Sequence, residues 1–210
     1  MILTSAQQNE VTQLTIAMFG AAPGGYKTFL DELYAANGSD MAATAVQLGT
    51  QPAFSSLYSG TPAANAATIL KNLSVSEATL PGQYNAALAY VQTQIGGNTP
   101  AEIAAFYPVA LGLLEAGTPG FDFTAVNAVM DKKLVIANAF TAGVGSEVTS
   151  LDVLMAQMED VDAGTPIGPY ASLTVEQDAV FGDASDNVFK AFLSTDVNTL
   201  QSGDYVNGGA

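Results

Sequence analysis

The chain contains no cysteine, histidine, arginine or tryptophan, and these absences exclude several kinds of chemistry. Without cysteine there is no disulfide, no thiolate nucleophile and no structural zinc site of the usual kind. Without histidine as well, neither a Ser-His-Asp nor a Cys-His catalytic arrangement is possible. We therefore predict that the protein is not an enzyme. Chemistry by Asp and Glu alone is the least favoured alternative.

Positive charge is also scarce, because five lysines face 20 acidic residues and the formal net charge is −15. Lys132 and Lys133 are the only adjacent cations. Nucleic acid is therefore excluded as a partner, since phosphate contacts need a basic patch, and direct adhesion to bare anionic lipid is disfavoured.

Long apolar runs are missing too. No stretch reaches the roughly 18 apolar residues of a membrane span, so we predict no transmembrane segment. The first ten residues lack the basic and apolar regions of a secretory signal peptide. If the protein is exported, we expect its signal elsewhere, past the C-terminal end of the given sequence.

The residues that are abundant are apolar or uncharged. Apolar residues make up 49% of the chain and charged residues 12%, against roughly 25% charged in ordinary globular proteins. The chain therefore has enough apolar surface to fold around one core, with room for a small satellite. A surface of Ala, Thr, Asn and Gln with little charge favours close packing between copies of the protein.

Helical spacing of apolar residues covers most of the chain up to residue 158. The predicted helices span residues 5–19, 25–36, 41–48, 52–58, 63–73, 84–95, 100–116, 123–142 and 146–158. The predicted N-terminal caps are Ser5, Ser39 or Asp40, and Thr99 in a capping box with Glu102, while Ser150 is an alternative start for the last helix. In the second helix, one core face is predicted from Tyr26, Phe29, Leu30, Leu33 and Tyr34.

The composition changes near residue 165, where Pro166 and Pro169 indicate a linker. Beyond it, short β-like pieces occur at 173–175, 180–181, 188–189 and 205–206, and residues 147–210 hold 11 of the 20 acids. The predicted fold is mainly α, with a multi-helix N-terminal domain (1–160), a linker (161–170) and a short C-terminal β segment (171–210) that begins a β module.

The C-terminal acids and glycines give the best candidate ligand site. Calcium prefers carboxylate, Asn and backbone oxygens on a chain that glycine lets turn sharply. The segments around Gly182 and Gly203 keep parts of the calcium-binding nonapeptide Gly-Gly-x-Gly-x-Asp-x-apolar-x but lack its full set of glycines. The predicted calcium ligands are Asp183, Asp186, Asn187, Asp204 and Asn207. Ordinary turns between short strands are the alternative.

Two other polar features have less specific interpretations. The acids Glu159, Asp160 and Asp162 crowd a predicted helix C-terminus, where the helix dipole disfavours them, so they indicate either a solvated face or a weak calcium site. The glycine-rich stretch Gly20-Ala-Ala-Pro-Gly-Gly25 follows a helix rather than a strand, which predicts a turn and not a phosphate cradle.

The first 60 residues resemble a domain of unknown function that is common in large secreted bacterial surface and RTX-type proteins. The pieces that carry the resemblance are Phe19-Gly20 with Pro23 and Gly25, then Phe29 to Leu33, then Gln51-Pro-Ala-Phe54-Ser-Ser-Leu-Tyr58. Ala21 and Gly24 replace the Arg and Asp of that family's loop, Phe29 replaces its Trp, and the loop is two residues short. The Arg–Asp pair that would hold the loop is therefore missing.

The rest is similar in style to the helical cell-anchoring region of bacterial S-layer proteins secreted by type I systems, with 171–210 as the first surface-layer repeat. That resemblance implies an extracellular location at the cell surface, a distal C-terminal export signal and calcium-assisted assembly. It predicts a non-enzymatic structural protein that self-assembles into an S-layer-like lattice or a filament. The alternatives are a module that binds envelope polysaccharide or lipopolysaccharide within a larger RTX protein and, last, an enzyme domain on an RTX carrier.

Overall fold

A computed structural model describes residues 3–143 and 145–162, and four short strand segments beyond them; for residues 160–162 and the strands only the backbone is described. The described part contains nine α-helices and is mainly helical, as predicted. The helices are α1 (Ser5–Phe19), α2 (Lys27–Ala36), α3 (Met41–Gly49), α4 (Pro52–Leu57), α5 (Pro62–Asn72), α6 (Tyr84–Gln94), α7 (Pro100–Ala116), α8 (Thr124–Ala142) and α9 (Leu151–Asp162), with a 3₁₀ turn at Gly24–Tyr26 before α2.

The strand segments pair in two parallel ladders. Strand β1 (Ala171–Ser172) pairs with β3 (Phe189–Lys190), and β2 (Ala179–Phe181) pairs with β4 (Tyr205–Asn207). The predicted β-like piece at 173–175 lies outside the described residues. Helix α9 continues two residues beyond the predicted domain boundary at 160.

Helix α1 is central to the helical part. It packs against α2, α3, α4, α5, α7 and α8, and its residues Leu14, Ile16, Ala17 and Met18 are completely buried. Its bounds agree with the prediction but its cap does not, because Thr4 and not Ser5 is the N-cap. Thr4 forms a capping box in which its hydroxyl accepts from the Gln7 backbone N–H at 3.3 Å and the Gln7 side chain accepts from the Thr4 N–H at 2.9 Å. Gln8 stands three residues after Ser5, so the capping-box pattern fits both positions and the sequence does not distinguish between them.

Several helix ends follow the predicted local signals. Gly20 ends α1 in the left-handed conformation (φ 63°). Asp40 caps α3, accepting from the backbone N–H groups of Ala42 and Ala43. Pro108 lies inside α7, and helical structure continues through it to Ala116. The capping box predicted for α7 is present.

Two predictions about helices were wrong. In α2, Leu30 and Tyr34 are buried, but Tyr26 and Phe29 are 44% and 48% exposed, because only one edge of the predicted face touches the core. The last helix begins at Leu151 and not at Ser146, since residues 145–150 are not helical and contact Gly25 and Tyr26 of the 3₁₀ turn through Val148 and Thr149. The predicted alternative start at Ser150 is the correct one, because its carbonyl accepts the first helical hydrogen bond of α9, from Leu154.

Candidate functional site

The predicted calcium site cannot be placed. Asp183, Asp186, Asn187 and Asp204 lie outside the described residues. Only the backbone of Asn207 is described, and it pairs with Phe181 in the β2–β4 ladder. Within the described part of the chain, no group of three or more acidic side chains is close enough to hold a metal ion. Calcium binding therefore stays a prediction.

One of the acids at the end of α9, Glu159, has a partner that the sequence did not reveal. The Glu159 carboxylate accepts from the Lys71 ammonium of α5 at 2.7 Å, and both side chains are about half exposed. A lysine thus supplies positive charge near the C-terminus of α9, where the helix dipole disfavours acids. Asp160 and Asp162 are described only as helix backbone.

The glycine loop (residues 20–26) forms a turn, as predicted, and most of its backbone N–H groups donate hydrogen bonds. The Ala22 N–H donates to the carbonyl of Leu154, the Gly24 N–H to the Thr141 hydroxyl, and the Gly25 N–H to the carbonyl of Val148. These bonds hold the loop against α8, α9 and the connection between them. They also leave no cluster of free N–H groups for a phosphate.

Beside this loop lies an open polar cleft of about 520 Å³, which we call the amide cleft. Its walls come from α1, the 3₁₀ turn, α2 and the C-terminal part of α8. Among the described residues, the lining consists of Ser5, Gln8, Asn9, Gly24, Gly25, Lys27, Thr28, Asp31, Asn138, Thr141, Ala142 and Ser146. Most of these side chains end in an amide or a hydroxyl.

Hydrogen bonds between α1 and α8 hold one wall of the amide cleft. The Asn138 amide donates to Asn9 Oδ1 at 2.9 Å, and the Thr12 hydroxyl lies 2.9 Å from Asn138 Oδ1 and 3.0 Å from the Gln8 carbonyl. Thr12 is fully buried, so this contact is protected from water. Asn138 is therefore held in place by its neighbours.

The charge within the amide cleft is balanced. Lys27 Nζ lies 2.5 Å from the Asp31 carboxylate, one turn further along α2. Asp31 is the only carboxylate among the described residues of the lining, and Lys27 the only cation. A single carboxylate paired to lysine offers no acid–base pair for glycoside cleavage, which uses two carboxyl groups. The cleft is instead suited to a neutral, hydroxyl-rich ligand, which amides and hydroxyls can bind as donors and acceptors.

The sequence did not predict the amide cleft. Asn9 and Asn138 are 129 residues apart, and no local pattern signals that they meet. The Gly24-Gly25 pair is apparent in the sequence. Its place in the lining of the amide cleft depends on how α8 packs beside it.

The clearest pKa shifts among buried groups of the described chain mark core anchors and not an active site. Burial raises the pKa of Tyr58 and of Tyr107, whose hydroxyls contact each other inside the helical part. Burial, together with a hydrogen bond to Glu10, raises the pKa of Tyr34. Perturbed pKa values often indicate functional sites, but these phenols do not line the amide cleft.

No family model, no curated protein and no solved structure matches the chain. The resemblance to secreted surface proteins therefore stays a prediction. None of the described helices is long and apolar enough to cross a membrane.

Proposed function

We propose that this protein is a non-enzymatic structural protein of the bacterial cell surface, which assembles with copies of itself into a lattice or filament with calcium assistance. The helical part (α1–α9) would provide contacts to neighbours or to the envelope. The residues from 171 onward would begin a β module that calcium stabilises.

The observation that supports this proposal best is the pairing order of the C-terminal strands. Ala171 pairs in parallel with Phe189, 18 residues later, which is twice the length of the nonapeptide of calcium-binding β-rolls, but Ala179 pairs with Tyr205, 26 residues later, which is not a multiple of nine. The strands also alternate, β1 with β3 and β2 with β4, which is the order that a coiling chain produces. The predicted ligands Asp183, Asp186, Asn187 and Asp204 lie in the sequence between these strand segments.

Assembly can be tested on the full chain by electron microscopy and light scattering. We expect ordered assemblies in millimolar calcium that disperse when a chelator is added. Magnesium at the same concentration is the control, because its demand for strict octahedral geometry suits a flexible all-protein site poorly. A protein that stays monomeric with calcium and with chelator would exclude the proposal.

A second candidate function, the binding of envelope polysaccharide, is favoured by the amide cleft. Its neutral balance of charge and its free polar side chains, including Gln8 and Thr28, match the hydroxyl groups of a sugar. This attachment could serve a surface protein as well as a module of a larger RTX protein.

Polysaccharide binding can be tested with purified envelope polysaccharide and calorimetry. The double variant Gln8→Ala/Thr28→Ala should weaken binding about 30-fold, since it removes two hydrogen-bonding groups at about 1 kcal/mol each. The control Gln94→Ala removes an exposed amide on α6, away from the cleft, and should leave binding unchanged. Equal losses in both variants, or no binding by the unmodified protein, would contradict a polysaccharide site in the cleft.

A further inference from the structure

Helix α2 also borders a second cavity, an apolar groove of about 200 Å³, which we call the aromatic groove. Its exposed rim contains Tyr26 and Phe29, and its walls include Pro23, Pro52 and Leu151. The hydroxyl of Tyr26 donates to the Thr149 carbonyl at 2.9 Å, which fixes the ring in place although it is 44% exposed. Two exposed aromatic side chains beside an apolar cavity, one of them fixed by a hydrogen bond, indicate a binding surface.

The chemistry of the aromatic groove is suited to a proline-rich segment. Grooves lined by aromatic rings bind polyproline II helices, whose shape is already formed before binding and whose carbonyls have no internal partners. Gln51, which is exposed at the groove, carries an amide that can donate to such a carbonyl.

The chain itself contains a segment of this kind. Residues 166–169 read Pro-Ile-Gly-Pro. A polyproline II helix has three residues per turn and rises about 3.1 Å per residue, so the two prolines would lie on one edge about 9 Å apart. Residues 163–175 also contain no charged side chain, although the net charge is −15. This stretch can therefore approach another acidic copy with little like-charge repulsion.

Chain geometry favours a neighbouring copy as the source of this segment. Leu151 and Leu154 line the groove, and Asp162 at the other end of α9 is about 12 to 17 Å further along the helix axis. The four residues from Asp162 to Pro166 span at most about 14 Å when fully extended. Within one chain, Pro166 could reach the groove only along a nearly straight path back beside α9. A second copy has no such restriction.

We infer that the aromatic groove binds residues 166–169 of a second copy of this chain. The contact is heterologous, because one copy supplies the groove and the other supplies the segment. Repetition of such a contact gives open chains of molecules unless a ring closes. The inference rests on the proposed self-assembly and names one of its contacts, which does not itself require calcium.

The test is sedimentation velocity of the full chain in chelator, over a range of protein concentrations. The unmodified protein should show an average mass that rises with concentration. Phe29→Ser, and separately Pro166→Ala/Pro169→Ala, should each weaken association at least tenfold. Val135→Ser is the matched control, because Val135 is 69% exposed on α8 and lies outside the groove.

A mixture of the two variants gives the sharpest result. Phe29→Ser keeps the segment and the double proline variant keeps the groove, so the mixture should form one-to-one dimers and nothing larger. A concentration-independent monomer, an unaffected Phe29→Ser protein or a mixture without dimers would overturn the inference. Calcium-dependent assemblies that survive both substitutions would overturn this contact and leave the proposed function standing.

Discussion

Gly24 of the glycine loop packs against Val148, in the connection between α8 and α9, and against Leu154 of α9. Its φ is +53°, a value that residues with a side chain rarely adopt. A Cβ atom here would lie 2.3 Å from Leu154 Cδ2 and 2.7 Å from the Val148 carbonyl oxygen. The position therefore needs glycine both for its conformation and for space.

Gly24→Ala should lower the free energy of unfolding by about 2 to 4 kcal/mol, because backbone strain and the contact with Val148 add together. Gly38→Ala is the control, since Gly38 has a similar φ of +69° but open space around it. That variant should lose about 1 kcal/mol from its conformation alone. Urea denaturation measures both, and equal losses would show that the contact does not matter.

The Tyr58 hydroxyl contacts three polar groups in the described core. It donates to the Met18 carbonyl at 2.9 Å and accepts from the Asn72 amide at 3.0 Å. Because its single hydrogen is used on Met18, the contacting hydroxyl of Tyr107 donates to Tyr58. The network joins α1, α5 and α7 at the end of α4.

Tyr58→Phe should therefore destabilise the protein more than Tyr107→Phe. The first substitution removes a hydroxyl that forms hydrogen bonds with three buried groups and should cost about 3 kcal/mol or more, whereas the second removes the bond between the two hydroxyls at about 1 kcal/mol. Chemical denaturation of both variants measures the difference. A larger loss in Tyr107→Phe would contradict the direction assigned to the bond between the two hydroxyls.

Stability should also fall in alkali. The folded protein keeps Tyr58 and Tyr107 neutral because their pKa values are raised, while the unfolded chain ionises them above their ordinary pKa of 10.0. The stabilising effect is thus complete below about pH 10 and is lost as the pH rises further, by at most about 1.4 kcal/mol per pH unit for each tyrosine. Between pH 8 and pH 11, the melting temperature of Tyr107→Phe should fall less than that of the unmodified protein. An equal fall would mean that Tyr107 does not contribute to the loss of stability in alkali.

At the scale of elements, α7 begins with a complete local signal. The Thr99 hydroxyl accepts from the Glu102 N–H at 3.3 Å, the Glu102 carboxylate accepts from the Thr99 N–H at 3.0 Å, and Pro100 occupies the first turn. Hydrogen bonds from Thr99 lower the pKa of Glu102. The capping box is exposed, so it stabilises mainly the first turn of α7.

Thr99→Ala should reduce the free energy of unfolding by about 1 kcal/mol, the usual effect of losing a cap. Thr93→Ala, an exposed threonine inside α6 that caps nothing, should change it by no more than about 0.5 kcal/mol. Since the pKa of Glu102 is lowered in the folded state, the contribution of the box is present above the ordinary pKa of 4.5 and disappears on acidification. Unfolding at pH 7 and pH 3 should therefore differ less in Thr99→Ala than in the unmodified protein.

The helices also show where local reasoning ends. The bounds of α1 and α7 agree with the prediction because capping boxes, proline and glycine act within four residues. The exposed side of α2 and the late start of α9 differ from the prediction. Both depend on how residues 145–150 pack against Gly25 and Tyr26. An apolar stripe predicts a buried face but not how wide the contact will be.

At the scale of the molecule, one buried apolar cluster runs from Leu3 to Met158 and includes residues of most helices. Helix α9 belongs to it through Leu154 and Met158, which are both fully buried. The C-terminal end of the described helical part is thus held to the N-terminal loop by packing and by the bonds of Ala22 and Gly25.

A chain that ends at Asp162 should fold cooperatively, with the melting temperature of the helical part in the full protein. A chain that ends at Gly143 should lose about 3 to 6 kcal/mol, because it no longer buries Leu154 and Met158. Circular dichroism melts of the two truncated chains measure this. Failure of the longer one to fold would show that the predicted domain boundary near 160 is wrong.

The sequence by itself determined the mainly helical fold, most helix ends, the acidic charge and the absence of histidine and cysteine chemistry, because each depends on composition or on neighbours within a few residues. Only the tertiary structure decided that Asn9 meets Asn138 across the amide cleft, that Lys71 pairs with Glu159, and that Tyr26 and Phe29 face solvent beside a groove. Those contacts join residues far apart in the chain. They depend on how the faces of the helices are matched, and periodicity alone does not specify that match.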